Sequence, residues 1–243
     1  MTNRTIYEFL DSKAPFATAE EWDNVGLLIG SPTDEVQRVV VALDVTHGAL
    51  ETAKAVGADL LITHHPVIFS PLRHVDGLPL ALATAGVSVI SAHTNLDKAV
   101  DGVNDTLAAR LHLTDVHPTE DGMCRIGKLP EPTDAATFAN TVGMQLDAAV
   151  RTNGGETVET VAVCGGSGGD FLAALADETD AFVTGEMRHH EWLNANARGI
   201  TVIEAGHYAT EVPVVDTLCR WLQEAFPTLE VTAYYDESPY ITI

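Results

Sequence analysis

The feature that most constrains the fold of this chain is a repeat. VVVALDVTHGALETAKAVGADLLITHH runs from a β-branched apolar stretch through an alanine-rich amphipathic one to a second apolar stretch closed by two histidines. TVAVCGGSGGDFLAALADETDAFVTGEMRHH does the same in the second half. Each is followed by another helical stretch and another apolar run, VSVISAHTNLD and ITVIEAGHYATE, and both of these end in His-x-x-x-acid: His93 with Asp97, His207 with Glu211. Short apolar runs alternating with amphipathic stretches predict an α/β protein with largely parallel sheets. That alternation alone makes any two α/β units look alike at their apolar positions, but it does not account for the repeated histidine pairs or the repeated spacing to the acid. Two interlinked similar halves are therefore expected. They are 1–112, completed by the C-terminal 212–243, and 113–211, with 113–158 as the connection.

The pattern predicts strands over 38–43, 60–63, 87–91, 158–163, 181–184 and 201–204, short enough and apolar enough to be buried parallel strands. It predicts helices over 6–14, 46–56, 78–85, 100–111, 133–146, 169–176, 188–196 and 211–225, and a last run over 229–235.

At 243 residues the chain can bury a sizeable core without staples. Cys124, Cys164 and Cys219 are odd in number and widely spaced, which points to buried thiols in a reducing, cytoplasmic setting rather than to a disulfide framework. No apolar stretch approaches the length of a membrane span. With 35 acidic residues against 13 basic ones and a net charge of -22, the surface repels phosphate backbones and argues against nucleic-acid binding. So acidic and lysine-poor a surface suits high salt, where self-repulsion is screened, and reads as a halophilic habitat rather than as mechanism.

In parallel α/β sheets ligands bind beyond the carboxyl ends of strands. His64 and His65 close one run there, His93 and Asp97 follow a second, and His207 and Glu211 a third. Imidazole and carboxylate donors with no thiolate point to Zn, Mn, Fe, Co or Ni. So many donors exceed one tetrahedral site and accommodate two metals, with Asp97 and Glu211 as natural bridges; such centres lower the pKa of bound water and serve hydrolases. His47, His74, His112 and His117 stand alone and are read as ordinary histidines. His189 and His190 hold the place in the second half that His64 and His65 hold in the first, and are expected as proton shuttles or substrate contacts. Glu186, on the same segment, is a candidate general base or a partner behind the ligands. The glycines of VCGGSGGDF are read first as a tight turn, with a phosphate contact as the functional alternative. EEWDNVGLLIG precedes a buried strand, and packing and capping explain it as well as function would.

EEWDNVGLLIG, LLITHHP, SAHTNLDKAVDGVND, RIGKL, VAVCGGSGGD, TGEMRHHE and EAGHYATE, in that order, resemble the NIF-three-like family, also described as GTP cyclohydrolase I type 2 homologues. The resemblance implies a dinuclear metal centre on His64, His65, Asp97, His207 and Glu211, leaving His93 as a neighbour behind the ligands. It also implies two interlinked α/β units and a toroidal homohexamer with its metal sites facing inward. The short connection implies that the middle domain some relatives carry is absent. The function expected is metal-dependent hydrolysis of a nucleotide-like or phosphate-bearing small molecule; the alternative is a non-catalytic metal-handling or regulatory protein.

Overall fold

A computed structural model describes residues 1–239 of the chain. They form two compact units: Met1–Val100 with Val214–Pro239, and the stretch that begins at Asp101 and ends at Pro213. The chain thus leaves the first unit, builds the second, and returns to complete the first.

The first unit contains a five-stranded sheet of β1 (Gly26–Ile29), β2 (Arg38–Ala42), β3 (Leu60–Thr63), β4 (Ser88–Ser91) and the late strand β11 (Glu230–Ala233), in the order β1-β4-β3-β2-β11. β11, β2, β3 and β4 run parallel, and β1 is antiparallel on the edge of β4. Val39, Val40, Val41, Leu60, Leu61 and Ile62 are fully buried, as strands covered on both faces must be. Each such side chain stabilises the fold by about 1.5–3 kcal/mol. Between β2 and β3 runs the helix His47–Val56, started by the Thr46 hydroxyl accepting from the Ala49 amide at 3.1 Å and stopped by Gly57 in the left-handed region at φ 65°. The helix Val214–Ala225 buries Val214, Val215, Leu218, Trp221 and Leu222 along one stripe and packs on β11 and β2.

The second unit contains β5 (Thr114–Pro118), β6 (Arg125–Asp134), β7 (Arg151–Thr152), β8 (Thr157–Cys164), β9 (Ala181–Thr184) and β10 (Thr201–Glu204), in the order β5-β6-β8-β9-β10-β7. Here β8, β9 and β10 run parallel, while β6 is antiparallel to β5 and β8, and β7 to β10. The duplicated element is therefore three parallel strands with an antiparallel fourth on the far edge: β2-β3-β4 with β1, and β8-β9-β10 with β7. Parallel pairing in the second sheet is confined to these repeated strands, so that sheet is mixed rather than largely parallel. Its core is built on Phe138, Val142, Val161, Val163, Val183 and Ile203.

Local differences from expectation have local causes. The stretch 113–158 is not a bare connection but supplies β5, β6, the helix Ala135–Leu146 and β7. Every residue of β5 is exposed, so no apolar alternation marks it. The helix Val103–Arg110, expected within the first half, buries Leu107 and Ala108 in the second unit's core. The helix expected over 169–176 is a 3₁₀ turn, Gly169–Phe171, followed by one α turn, Leu172–Leu175. That expected over 211–225 is split into His207–Glu211 and Val214–Ala225, because Pro213 has no N–H to continue the ladder. Among the described residues no helix is long and apolar enough to cross a membrane. The three cysteines are buried, and burial, aided by the nearby Asp216, pushes the Cys219 thiol up to about 12.

Candidate metal centre

In the first unit three histidines gather at the carboxyl ends of β3 and β4. Leu60–Thr63 ends at His64 and His65, and Ser88–Ser91 leads to His93, the cap of the short helix Thr94–Lys98. The buried hydroxyls of Thr63 and Ser91 hold the two strand ends together at 2.9 Å, and Thr63 Oγ1 also donates to the His65 carbonyl at 2.8 Å. Each imidazole is oriented through Nδ1. That of His64 lies 2.9 Å from the Ala92 carbonyl, that of His65 2.6 Å from Asp44 Oδ1, and that of His93 2.9 Å from Asp23 Oδ1. A carbonyl or a carboxylate only accepts, so each Nδ1 carries a proton, which leaves Nε2 as the nitrogen of the neutral ring that can ligate. This is how metal-binding imidazoles are held by the groups behind them. The three histidines offer donor atoms within 4.8 Å of one another, a spacing that can hold a metal ion. Asp97, on the turn after His93, is buried and lies with Oδ1 3.7 Å from Nε2 of His64.

The His93 ring packs 5.1 Å from that of His64 and 5.6 Å from that of His65. Asp23, which orients it, has a fully buried side chain that also accepts from the Thr94 amide at 3.0 Å and the Thr94 hydroxyl at 2.6 Å. Burial by itself pushes this carboxyl up, but the hydrogen bonds from His93 and Thr94, with the His93 charge, outweigh it and hold it at about 2.

In the second unit the end of β10 leads through Gly206 into the one-turn helix His207–Glu211. Spacing of four puts the pair on one face, with His207 Nε2 3.0 Å from Glu211 Oε2. His207 Nδ1 lies 3.4 Å from Glu186 Oε2, and the same oxygen accepts from the Ser167 hydroxyl at 2.7 Å. Glu211 is buried, while Glu186 and His207 are partly exposed. Glu186 and Ser167 line a cavity of about 670 Å³ whose charged walls include Arg151, Arg188, Asp170 and Glu204. That volume suits a small molecule.

The glycine-rich turn after β8 serves this unit by closeness rather than by cradling phosphate. The amides of Gly165, Gly166 and Gly168 are engaged by Asn104 Oδ1, Thr210 Oγ1 and Thr184 Oγ1 at 2.8, 3.1 and 3.1 Å. Gly166 has φ 62°, and a Cβ there would lie 2.1 Å from Glu211 Oε1. A Cβ on Gly185 would lie 2.7 Å from His207 Cα. The glycines let backbone pack directly on the His207–Glu211 turn.

These contacts come with a family. The description Duf34/NIF3 (NGG1p interacting factor 3) matches residues 1–239. The chain belongs to the DUF34/NIF3 family. A Lactococcus lactis relative named GTP cyclohydrolase 1 type 2 homolog is 34% identical over 209 residues, covering 80% of this chain and 81% of its own length. A Streptomyces coelicolor relative of the same name is 35% identical over 226 residues, covering 84% and 79%. Among solved structures, the Staphylococcus aureus protein SA1388 matches with TM-score 0.92 at 27% identity, over 100% of this chain and 99% of that one.

Of the residues singled out from the sequence, the first unit brings His64, His65 and His93 together with Asp97 beside His64, and the second brings His207, Glu211 and Glu186 together. His189 and His190 are exposed at the start of the helix His189–Arg198. Three oriented residues escaped the sequence reading of this NIF3-family chain: Asp23, Asp44 and Ser167. Asp44 follows β2 at the same offset as His65 follows β3, so a polar residue at the end of the neighbouring parallel strand was the available signal.

Proposed function

We propose that the chain is a dinuclear metal protein and a metal-dependent hydrolase of a nucleotide-like or phosphate-bearing small molecule. Two divalent ions (Zn, Mn, Fe, Co or Ni) would be held by His64, His65, Asp97, His207 and Glu211. The observation that carries this reading is the set of imidazoles oriented through Nδ1 and backed by oxygen acceptors, so that Nε2 is the donor. The buried carboxylates Asp97 and Glu211 add the charge that divalent cations require. The relatives named GTP cyclohydrolase 1 type 2 homolog support the nucleotide-like class. Ions bound there would supply Lewis acidity and lower the pKa of water.

The chain's own residues do the rest. Asp44 and Asp23 fix the rings of His65 and His93. Glu186, hydrogen-bonded by Ser167 and adjacent to His207, is placed to accept a proton from a group in the cavity. The cavity supplies room for the molecule, and Arg151 and Arg188 on its wall are paired with Glu204 and with Glu191 and Asp170. His189 and His190 are read as shuttles or substrate contacts at the protein surface, and the chain is expected to assemble as a toroidal homohexamer.

The test is a screen of metal-loaded protein against nucleotides and phosphoesters, with Asp97→Ala and Glu211→Ala as controls. We expect turnover that falls with metal content in both variants. Unchanged turnover in both would sink the assignment, and fast metal exchange with no turnover on any substrate would favour a metal-handling role.

A further inference from the structure

Trp22 and Phe69 are large aromatic residues left 58% and 55% exposed. Isolated exposed apolar residues need no explanation. These two are neither isolated nor loose. Their rings lie 5.8 Å apart at 44°, and each meets the His93 ring edge-on, at 6.0 and 6.2 Å. His93 in turn packs 5.1 Å from His64 and 5.6 Å from His65. A continuous run of rings therefore leads from the surface to the three imidazoles of the first unit.

The pair is also pinned from behind. Asn24, two residues after Trp22, donates through Nδ2 to the Ile68 carbonyl, next to Phe69, at 2.5 Å. Asp23, between Trp22 and Asn24, is locked to His93 and Thr94 by the contacts described above. The Glu20 amide donates to the Thr94 hydroxyl at 2.9 Å, and Lys98 is paired with Glu20 at 2.6 Å. Flat rings held at fixed positions beside a donor cluster lose little conformational entropy on binding, and a π face accepts any planar ring by stacking.

We propose that Trp22 and Phe69 form a stacking shelf for a planar heteroaromatic ring of the small molecule taken at this site. The proposal rests on the metal-site reading for its location and refines the substrate class to one that carries a planar base. Trp22 and Phe69 are positioned to touch the ring and to orient the rest of the molecule toward His64, His65 and His93. The packing and capping roles of EEWDNVGLLIG then belong to Asp23 and Asn24, and Trp22 has a task of its own.

The experiment measures binding, not turnover. Full-length protein is titrated with guanosine, adenosine and ribose 5-phosphate, with and without added Zn²⁺ or Mn²⁺, following tryptophan emission and heat. Both nucleosides are expected to quench the emission contributed by Trp22, read as the difference between wild type and Trp22→Phe. Trp22→Ala and Phe69→Ala are each expected to weaken nucleoside binding about tenfold while leaving ribose 5-phosphate binding and metal content unchanged. Trp22→Phe should retain most of the affinity. The proposal is overturned if neither nucleoside binds, or if both alanine variants bind them as wild type does. It is also overturned if those variants change the mass in light scattering with affinity unaltered, since the shelf is then a contact between copies of the chain. Nucleoside binding that needs the shelf, with ribose 5-phosphate binding indifferent to metal, sustains the shelf while removing support from the hydrolase reading.

Discussion

The two units carry the same device at the same place and use it differently. In each, the third repeated parallel strand, β4 or β10, leads to a one-turn helix with a buried acid, Asp97 or Glu211, four residues after a histidine. In the second unit that histidine opens the helix, and its ring reaches its own acid, His207 Nε2 to Glu211 Oε2 at 3.0 Å. In the first the histidine precedes the helix as its cap, and its ring turns to Asp23, leaving Asp97 near His64 instead. The first unit gathers three imidazoles because β3 leads into His64 and His65, whereas β9, its counterpart in the second, leads into Gly185 and Glu186. The support differs as well: acidic side chains and a carbonyl back the rings of the first unit, whereas glycine backbone packs against the turn of the second.

The sharpest way to break this contrast is to remove the acids. Glu211→Ala should lower metal affinity by more than about 100-fold, and Asp97→Ala by about 10- to 100-fold because the first unit keeps His64 and His65. Metal content by mass spectrometry and titration calorimetry measure both, and equal losses would show that the imidazole cluster contributes nothing of its own.

Next come the glycines. Gly166→Ala, with φ 62° and its new Cβ 2.1 Å from Glu211 Oε1, should destabilise the fold by about 3 kcal/mol or more in chemical denaturation and weaken metal binding. Gly86→Ala in the first unit, at φ 72° with nothing within 4 Å, should cost only about 1 kcal/mol and leave metal binding alone.

Smaller effects are expected from the groups behind the rings. Asp44→Ala removes the acceptor for His65 and Asp23→Asn the charged acceptor for His93, and each should weaken metal binding about tenfold with the fold intact by circular dichroism. The smallest effect is on acid stability. The Asp23 carboxyl sits at about 2 against an ordinary 3.8, so its stabilisation is complete above pH 4 and fades as pH falls through 2. The stability gap between wild type and Asp23→Asn in the metal-free protein should therefore shrink between pH 4 and pH 2; a constant gap would mean the carboxylate's charge is not what matters.

Much of this was legible beforehand because it is local. LLIT and TVIE read as strands and are strands with the expected bounds, since runs this short and this rich in apolar and β-branched residues suit a buried strand better than a helix. The acid after each histidine was visible as spacing. The exposed strand β5 was not, because a strand with no buried face has no pattern. Nor could the glycines after β8 be assigned, since a turn that cradles phosphate and one that presses on a carboxylate use the same residues. The roles of Asp23 and Asp44 were hidden for a related reason: Asp23 reaches His93 from 70 positions away and Asp44 reaches His65 from 21.

The sequence by itself determined the α/β class, the repeated strand–helix–strand plan, the absence of long apolar helices and the donor chemistry, because periodicity, turn residues and side-chain type are properties of short stretches. Only the tertiary structure decided which histidine stands beside which, that His93 joins His64 and His65, that the glycines yield space to Glu211, and that Trp22 and Phe69 meet at the surface. Those facts depend on the register of strands and on partners distant in sequence, such as Asp23 for the His93 ring, and no local preference sets them.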